Sequence, residues 1–258
     1  MDITESQAIY IMWLRQMKRF IRSRGRLVGT IVQPLFFLVI LGSGLRSAVM
    51  PGMMGDDYLS FLAPGIIAMA ILFSSMFTGI SVLWDKQFGF LQEVLVAPVS
   101  RFSIIIGRTL GGATTALIQG FIILFIAFGL GVPIAGISGL MLTIVFMVLS
   151  AFTAVGFGLV IASKMENFQA FQLIMNLVIM PLLFLSSAFF PIATNPDMPS
   201  IVSQVSFFNP LFYMVDGIRG SLTGINNVLN PLVDLVVVLG ICIFMLGLGS
   251  YLFSKSEI

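Results

Sequence analysis

The chain has 258 residues, of which 58% are hydrophobic and only 9% charged, whereas an ordinary soluble domain carries about 25% charged residues. With a mean hydropathy of +1.08, that deficit excludes a water-soluble fold. The net charge of +2 says little as a sum, but the complete absence of histidine removes Ser/His/Asp triads, Cys/His pairs and imidazole metal sites.

The first element in chain order is "TESQAIYIMWLRQMKRFIRSR". Tyr10, Trp13, Leu14, Met17 and Phe20 share one helical face and Arg15, Lys18, Arg19 and Arg22 another, the pattern of a helix lying in the membrane interface. Residues 5–24 are therefore predicted to form an interfacial helix that anchors on anionic headgroups and is also placed to touch a cytoplasmic partner. No small-residue cleavage site follows the basic cluster, so the segment is expected to be retained.

Uncharged apolar runs then fall at about residues 27–45, 62–83, 109–131, 139–162, 168–190 and 231–253. A helix needs ~20 residues to cross the bilayer core, and lipid offers no partner for backbone N–H and C=O groups, so each run is predicted to be a helix. The expected fold class is all-α, a single polytopic membrane domain over residues 1–258 with six transmembrane helices. Pro34, after Gln33 in the first run, predicts a kink. The only cysteine, Cys242, lies in the last run and reads as a small core residue.

Lys and Arg set the orientation. With the N-terminus cytoplasmic, eleven of the thirteen lie on that side and two, Arg46 and Arg219, on the other. This bias places both termini in the cytoplasm and the protein in the plasma or inner membrane.

Residues 84–108 carry Asp85, Lys86, Glu93, Arg101 and Arg108. At ~2.5–3.5 kcal/mol per charge near the bilayer centre, against ~0.3–0.6 kcal/mol returned per large apolar residue, this stretch is predicted to stay outside the membrane. Phe88, Leu91 and Leu95 share one face, with Lys86, Gln92 and Glu93 turned away, which predicts a short amphipathic helix over about residues 85–96. Pro98 ends it, and Ser100 is placed to cap the next helix.

Polar side chains inside the runs are few. Gln169, Gln172 and Asn176 recur at helical spacing in the fifth, Gln119 and Thr115 lie in the third, and Gln33 in the first. They read as helix-to-helix contacts or as a substrate path. Gly107 with Gly111, and Ala154 with Gly158, have the spacing of close helix packing. Between the fifth and sixth runs, prolines divide an apolar stretch into pieces too short to span, predicted as outer re-entrant helices over residues 191–222. Asp216 and Arg219 are three apart there, close enough to pair at the surface or against a neighbour.

"LQEVLVAPVSR", together with "FLAPGIIAMAIL", "FLSSAFFPI" and "NPLFYMVDGIRG" in that order, resembles the type-2 ABC exporter permeases, a family that includes drug-resistance and nodulation-factor export permeases. The resemblance implies a permease that pairs with a second copy or a close relative and with two cytosolic ATP-hydrolysing subunits. It implies a coupling helix at residues 85–99, with Phe88, Leu91, Glu93, Leu95, Pro98 and Arg101 contacting the ATPase. It also implies an outer gate element carrying Asp216 and Arg219. The cargo would be a lipid-like, drug-like or glycoconjugate amphiphile, with membrane lipid as the surroundings and no nucleic acid involved.

No G-x-x-x-x-G-K-[ST] string occurs, so the chain is expected to bind no cofactor, with ATP and magnesium on the partner ATPase and no catalytic or metal residue of its own. The rival reading is an ion-coupled secondary transporter of amphiphiles, which would require ionisable groups near mid-membrane. Asp85 and Asp234 fall near span ends instead.

Overall fold

In a computed structural model, residues 5–44, 58–89, 99–165, 167–193, 195, 198–224 and 227–255 are described. Among them all regular structure is helical: α1 Glu5–Arg22, α2 Arg24–Gly44, α3 Tyr58–Gln87, α4 Arg101–Gly129, α5 Gly136–Lys164, α6 Phe168–Phe184, α7 Ser200–Ser206, α8 Pro210–Leu222 and α9 Pro231–Lys255.

The centre is α3. It is buried along almost its full length, with Leu62, Ala63, Ile66, Ile67, Ala70 and Leu83 wholly enclosed. α2, α4, α5, α6 and α8 pack around it, and α9 packs on the outer side of α5 and α8. Without a hydrophobic drive between helices in lipid, close approach at small residues holds such a bundle. A Cβ on Gly79 of α3 would lie 2.7 Å from the Gly158 carbonyl oxygen of α5. The spacing seen at Ala154 and Gly158 thus serves the α3–α5 contact.

Among the described residues four helices, α3, α4, α5 and α9, are long and apolar enough to cross a membrane. A fifth span results if α1 and α2, bent by 70° at Ser23, count as one broken crossing. α6 has 17 residues, about 25 Å at 1.5 Å per residue, short of a ~30 Å hydrocarbon core. The fifth run was expected to stay helical to residue 190, but the chain turns from Leu185 onward and Ser187 adopts a left-handed φ of 57°.

Two further boundaries differ from the sequence reading. Residues 85–87, expected to open a separate helix, are the last turn of α3, and the chain breaks at Gly89, whose φ is +72°. α4 begins at Arg101 rather than near 109, behind the Ser100 cap, whose hydroxyl accepts the Ser103 N–H at 3.1 Å. Arg108, summed above as a charge kept out of the membrane, therefore lies within α4 and is wholly buried. That sum treated each charge as isolated, and Arg108 is not.

α1 also seats on the bundle by a face that its two-sided pattern did not reveal. Ala8, Met12, Gln16 and Phe20, spaced by four, are buried, while Tyr10 is 58% exposed. Gly107 and Gly111 of α4 receive this stripe. A Cβ on Gly107 would sit 2.7 Å from the Ile9 carbonyl oxygen, and one on Gly111 2.6 Å from the Gln16 Cβ.

Candidate functional site

At the end of α3 nearest the 90–98 segment, one buried carboxylate gathers three cations. Asp85 accepts from Arg15 twice, at 2.8 Å from Nη1 to Oδ2 and 2.6 Å from Nη2 to Oδ1. The Arg108 Nη2 donates to its Oδ2 at 2.7 Å, and the Arg19 Nη1 stands 3.6 Å from Oδ1. Asp85 and Arg108 are both almost fully buried, and Arg15 and Arg19 are partly exposed.

Neighbouring contacts spread this cluster over five helices. Arg19 lies over the Trp84 ring, which stacks on Phe168 of α6, and Arg108 lies over Phe253 of α9. The Gln16 amide donates to Ser81 Oγ at 3.0 Å. Among the described residues Arg108 uses one nitrogen; its Nε and Nη1 are buried with no hydrogen-bond partner there. Because removing water from a charge is costly unless it is paired, Asp85 is what allows Arg108 to occupy the bundle.

A second tie holds the far side of the same segment. The Glu5 carboxylate accepts from the Ser100 N–H at 3.1 Å and from the Ser100 hydroxyl at 2.9 Å. Hydrogen bonds from Ser103 and Ser100 hold this exposed carboxyl below the ordinary glutamate value. Trp13 adds a bond from its indole N–H to Thr114 Oγ1 at 3.1 Å. α1 thus grips both flanks of residues 88–100, through Arg15 before it and Glu5 after it.

Of the residues expected to meet an ATPase, Phe88 is 82% exposed and Arg101 is exposed at the start of α4. Leu91, Glu93, Leu95 and Pro98 lie outside the described residues. The Arg15–Asp85–Arg108 cluster was missed because Asp85 and Arg108 had been read as loop charges and Arg15 as a headgroup cation.

The amides expected along the bundle separate into two groups. Gln119 is buried and donates from Nε2 to Thr30 Oγ1, tying α4 to α2. Gln33 of α2 and Gln169, Gln172 and Asn176 of α6 are exposed. The last three form a polar stripe on a helix whose other exposed residues, Leu173, Leu177, Met180 and Phe184, are apolar.

At the opposite end of α3, Asp216 and Arg219 are buried rather than at the surface. The Arg219 Nε donates to the Phe61 carbonyl at 3.3 Å and Nη2 to the Ser187 carbonyl at 2.7 Å, with the guanidinium 3.9 Å from the Phe61 ring centre. Its Nη1 lies 3.9 Å from Asp216 Oδ1, while Asp216 accepts the Val228 and Leu229 N–H groups. Local sequence builds this corner: Asn209 caps α8 through the Leu211 N–H, with Pro210 at the first helical position. The Asn209 amide also donates to the Leu182 carbonyl at 2.6 Å. Among the described residues, no group of three or more metal-ligating side chains occurs.

The sequence has named relatives. Residues 7–223 match the family described as "ABC-2 type transporter". The chain is 28% identical over 228 residues to the inner membrane transport permease YadH of Escherichia coli K12, covering 88% of this chain and 86% of that protein. It is 28% identical over 233 residues to nodulation protein J of Rhizobium leguminosarum bv. viciae, covering 85% and 82%.

Proposed function

Because the chain belongs to the ABC-2 type transporter family, and is thus a multi-pass transport permease, we propose that it is the membrane subunit of an ATP-driven exporter carrying an amphiphile outward. In this reading α2 and α6 join α3, α4, α5 and α9 as spans, α1 lies on the cytoplasmic surface, and both termini are cytoplasmic. ATP is hydrolysed by two separate cytosolic subunits, and a second permease, identical or closely related, completes the path.

The observation that carries the reading is the double tie of α1 to the flanks of residues 88–100. A motor gripping that segment through Phe88, Leu91, Glu93, Leu95, Pro98 and Arg101 would not move a free loop. It would move Asp85 and Ser100 together, and with them α1, α3 and α4. Such a pull biases the permease only if its two states contact the motor differently. The exposed amides on α6 and Gln33 on α2 support a path between paired permeases, because uncovered amides facing hydrocarbon are unfavourable. The outer corner around Arg219 is the matching gate.

Reconstitution with a cytosolic ATPase that copurifies with it tests this: outward movement of cargo should require ATP hydrolysis and persist without an ion gradient. Glu93→Lys should weaken ATPase association and transport together; unchanged transport in that variant would count against the assignment.

One observation favours ion coupling. Asp234, in the first turn of α9, is completely buried and neither carboxylate oxygen has a hydrogen-bond partner among the described residues, the condition of an acid that carries a proton. Gradient-driven transport without ATP, abolished by Asp234→Asn, would favour that reading instead.

A further inference from the structure

At the bend where α1 gives way to α2 there is a cavity of about 560 Å³ lined by Ile11, Leu14, Arg15, Lys18, Arg19 and Arg22. We propose that it binds the phosphate-bearing headgroup of an anionic glycerophospholipid from the adjacent leaflet. The inference rests on the proposed function only in taking α1 to lie at the cytoplasmic membrane surface.

Charge is the first argument. Arg15 and Arg19 reach Asp85 from the cavity side and Arg108 reaches it from within the bundle. Three guanidiniums therefore share one carboxylate, which accepts a full hydrogen bond from only two of them. Lys18 and Arg22 make no ion pair among the described residues. The region around the bend holds a surplus of positive charge, and four of its cations line one concave space. A phosphodiester is the anion that such a guanidinium group recognises best, through paired N–H donors.

Shape and position select a lipid over a free phosphate. A site for a small soluble anion needs no apolar wall, yet Ile11 and Leu14 form one here, and Ile11 is 53% exposed. The apolar surface continues past the bend. Val28, Val32 and Phe36, spaced by four on α2, are all exposed and share one face of the apolar helix that follows the bend. A headgroup held among the cations would have acyl-chain surface beginning beside it.

The occupant would sit against the two arginines that tie α1 to Asp85. Anionic charge beside them would hold them in place, so anionic lipid should favour the seated position of α1.

The test uses the full chain in nanodiscs without ATP or cargo, so its outcome is independent of whether the protein is an exporter. Lipid binding is measured by native mass spectrometry with phosphatidylglycerol and phosphatidylcholine of matched chains, and with sn-glycerol 3-phosphate as the free-phosphate probe. Phosphatidylglycerol should be preferred, and its affinity should fall about fivefold for each of Lys18→Gln and Arg22→Gln, neither of which touches Asp85. Lys164→Gln, which does not line the cavity, should leave it unchanged. Equal binding of the two lipids, or a preference insensitive to Lys18 and Arg22, would overturn the proposal. Saturation by glycerol phosphate at the lipid's own concentration would instead make it a free-phosphate site. Loss of ATPase copurification in the two variants without any lipid preference would make it a protein-docking surface.

Discussion

Glu5 and Ser100, ninety-five residues apart, are joined by two hydrogen bonds, from the Ser100 N–H at 3.1 Å and from its hydroxyl at 2.9 Å. Ser100 is also the cap of α4, its hydroxyl accepting the Ser103 N–H. One serine thus starts a membrane helix and fastens α1 to it. With Arg15 on Asp85, this makes α1 a brace across residues 88–100 rather than an independent anchor.

The brace has a pH signature. Hydrogen bonds from Ser103 and Ser100 lower the Glu5 pKa in the folded protein, so the carboxylate contributes stability that is complete above the ordinary glutamate pKa of about 4.3. That contribution is lost as pH falls through the lower folded value. Acidification should therefore loosen the start of α1, seen as a step in tryptophan emission when the Trp13–Thr114 bond is released. Glu5→Gln should lack this step. The same step in that variant would assign it to another group.

Asp85→Asn should be among the most damaging substitutions in the chain. It leaves Arg108 buried without its ion pair, a change that costs about 3–5 kcal/mol. Arg108→Leu in the same chain removes the stranded charge, so the double variant should melt above Asp85→Asn alone. If the two effects simply add in thermal unfolding, the ion pair is not the reason for the loss.

Gly107→Ala tests the seating of α1 separately from its charges. The added methyl would lie 2.7 Å from the Ile9 carbonyl oxygen, a backbone atom that cannot rotate away, so overpacking of about 1–3 kcal/mol is expected. Hydrogen exchange should rise along α1 and stay unchanged in α9. Protection of α1 equal to that of the parent would mean that α1 is not packed at Gly107.

The corner around Arg219 depends on the shape of arginine. Arg219 donates at once to two carbonyls on different segments while lying over Phe61. A lysine keeps the charge but cannot present a planar fork. Arg219→Lys should lose one charged hydrogen bond, about 1.5–3 kcal/mol, and should impair transport while leaving ATPase association intact. A variant that transports normally would remove Arg219 from the gate.

Much of the helical framework was legible, because lipid forces continuous apolar runs into helices whatever their detailed sequence. The charged ends were not, because a cost summed charge by charge cannot foresee that Asp85 and Arg108 neutralise one another across 23 positions. The end of α6 was hidden for a different reason. Leu185–Phe190 is nearly as apolar as the helix before it, so hydropathy ran on to Pro191, while the turn is fixed by tertiary bonds from Arg219 to Ser187 and Tyr58 to Phe189. The buried stripe Ala8, Met12, Gln16 and Phe20 had a readable period of four. Sorting α1 into apolar and basic faces passed over it because one member is alanine and another glutamine.

The stripe Gln169, Gln172 and Asn176 yields the last prediction. Each side chain is exposed on α6 in the single chain, and an amide facing hydrocarbon without a partner costs several kcal/mol. A second permease or the cargo itself would relieve that cost, and these covers respond differently to substitution. Gln172→Leu with Asn176→Leu breaks no intramolecular hydrogen bond among the described residues and should not destabilise the single chain. If the stripe faces a second copy, Asn176→Cys in a Cys242→Ala background should crosslink between chains, and the leucine pair should weaken self-association. If it faces cargo, association should persist while transport falls. Unchanged association and unchanged transport in the leucine pair would mean that α6 turns this face to neither.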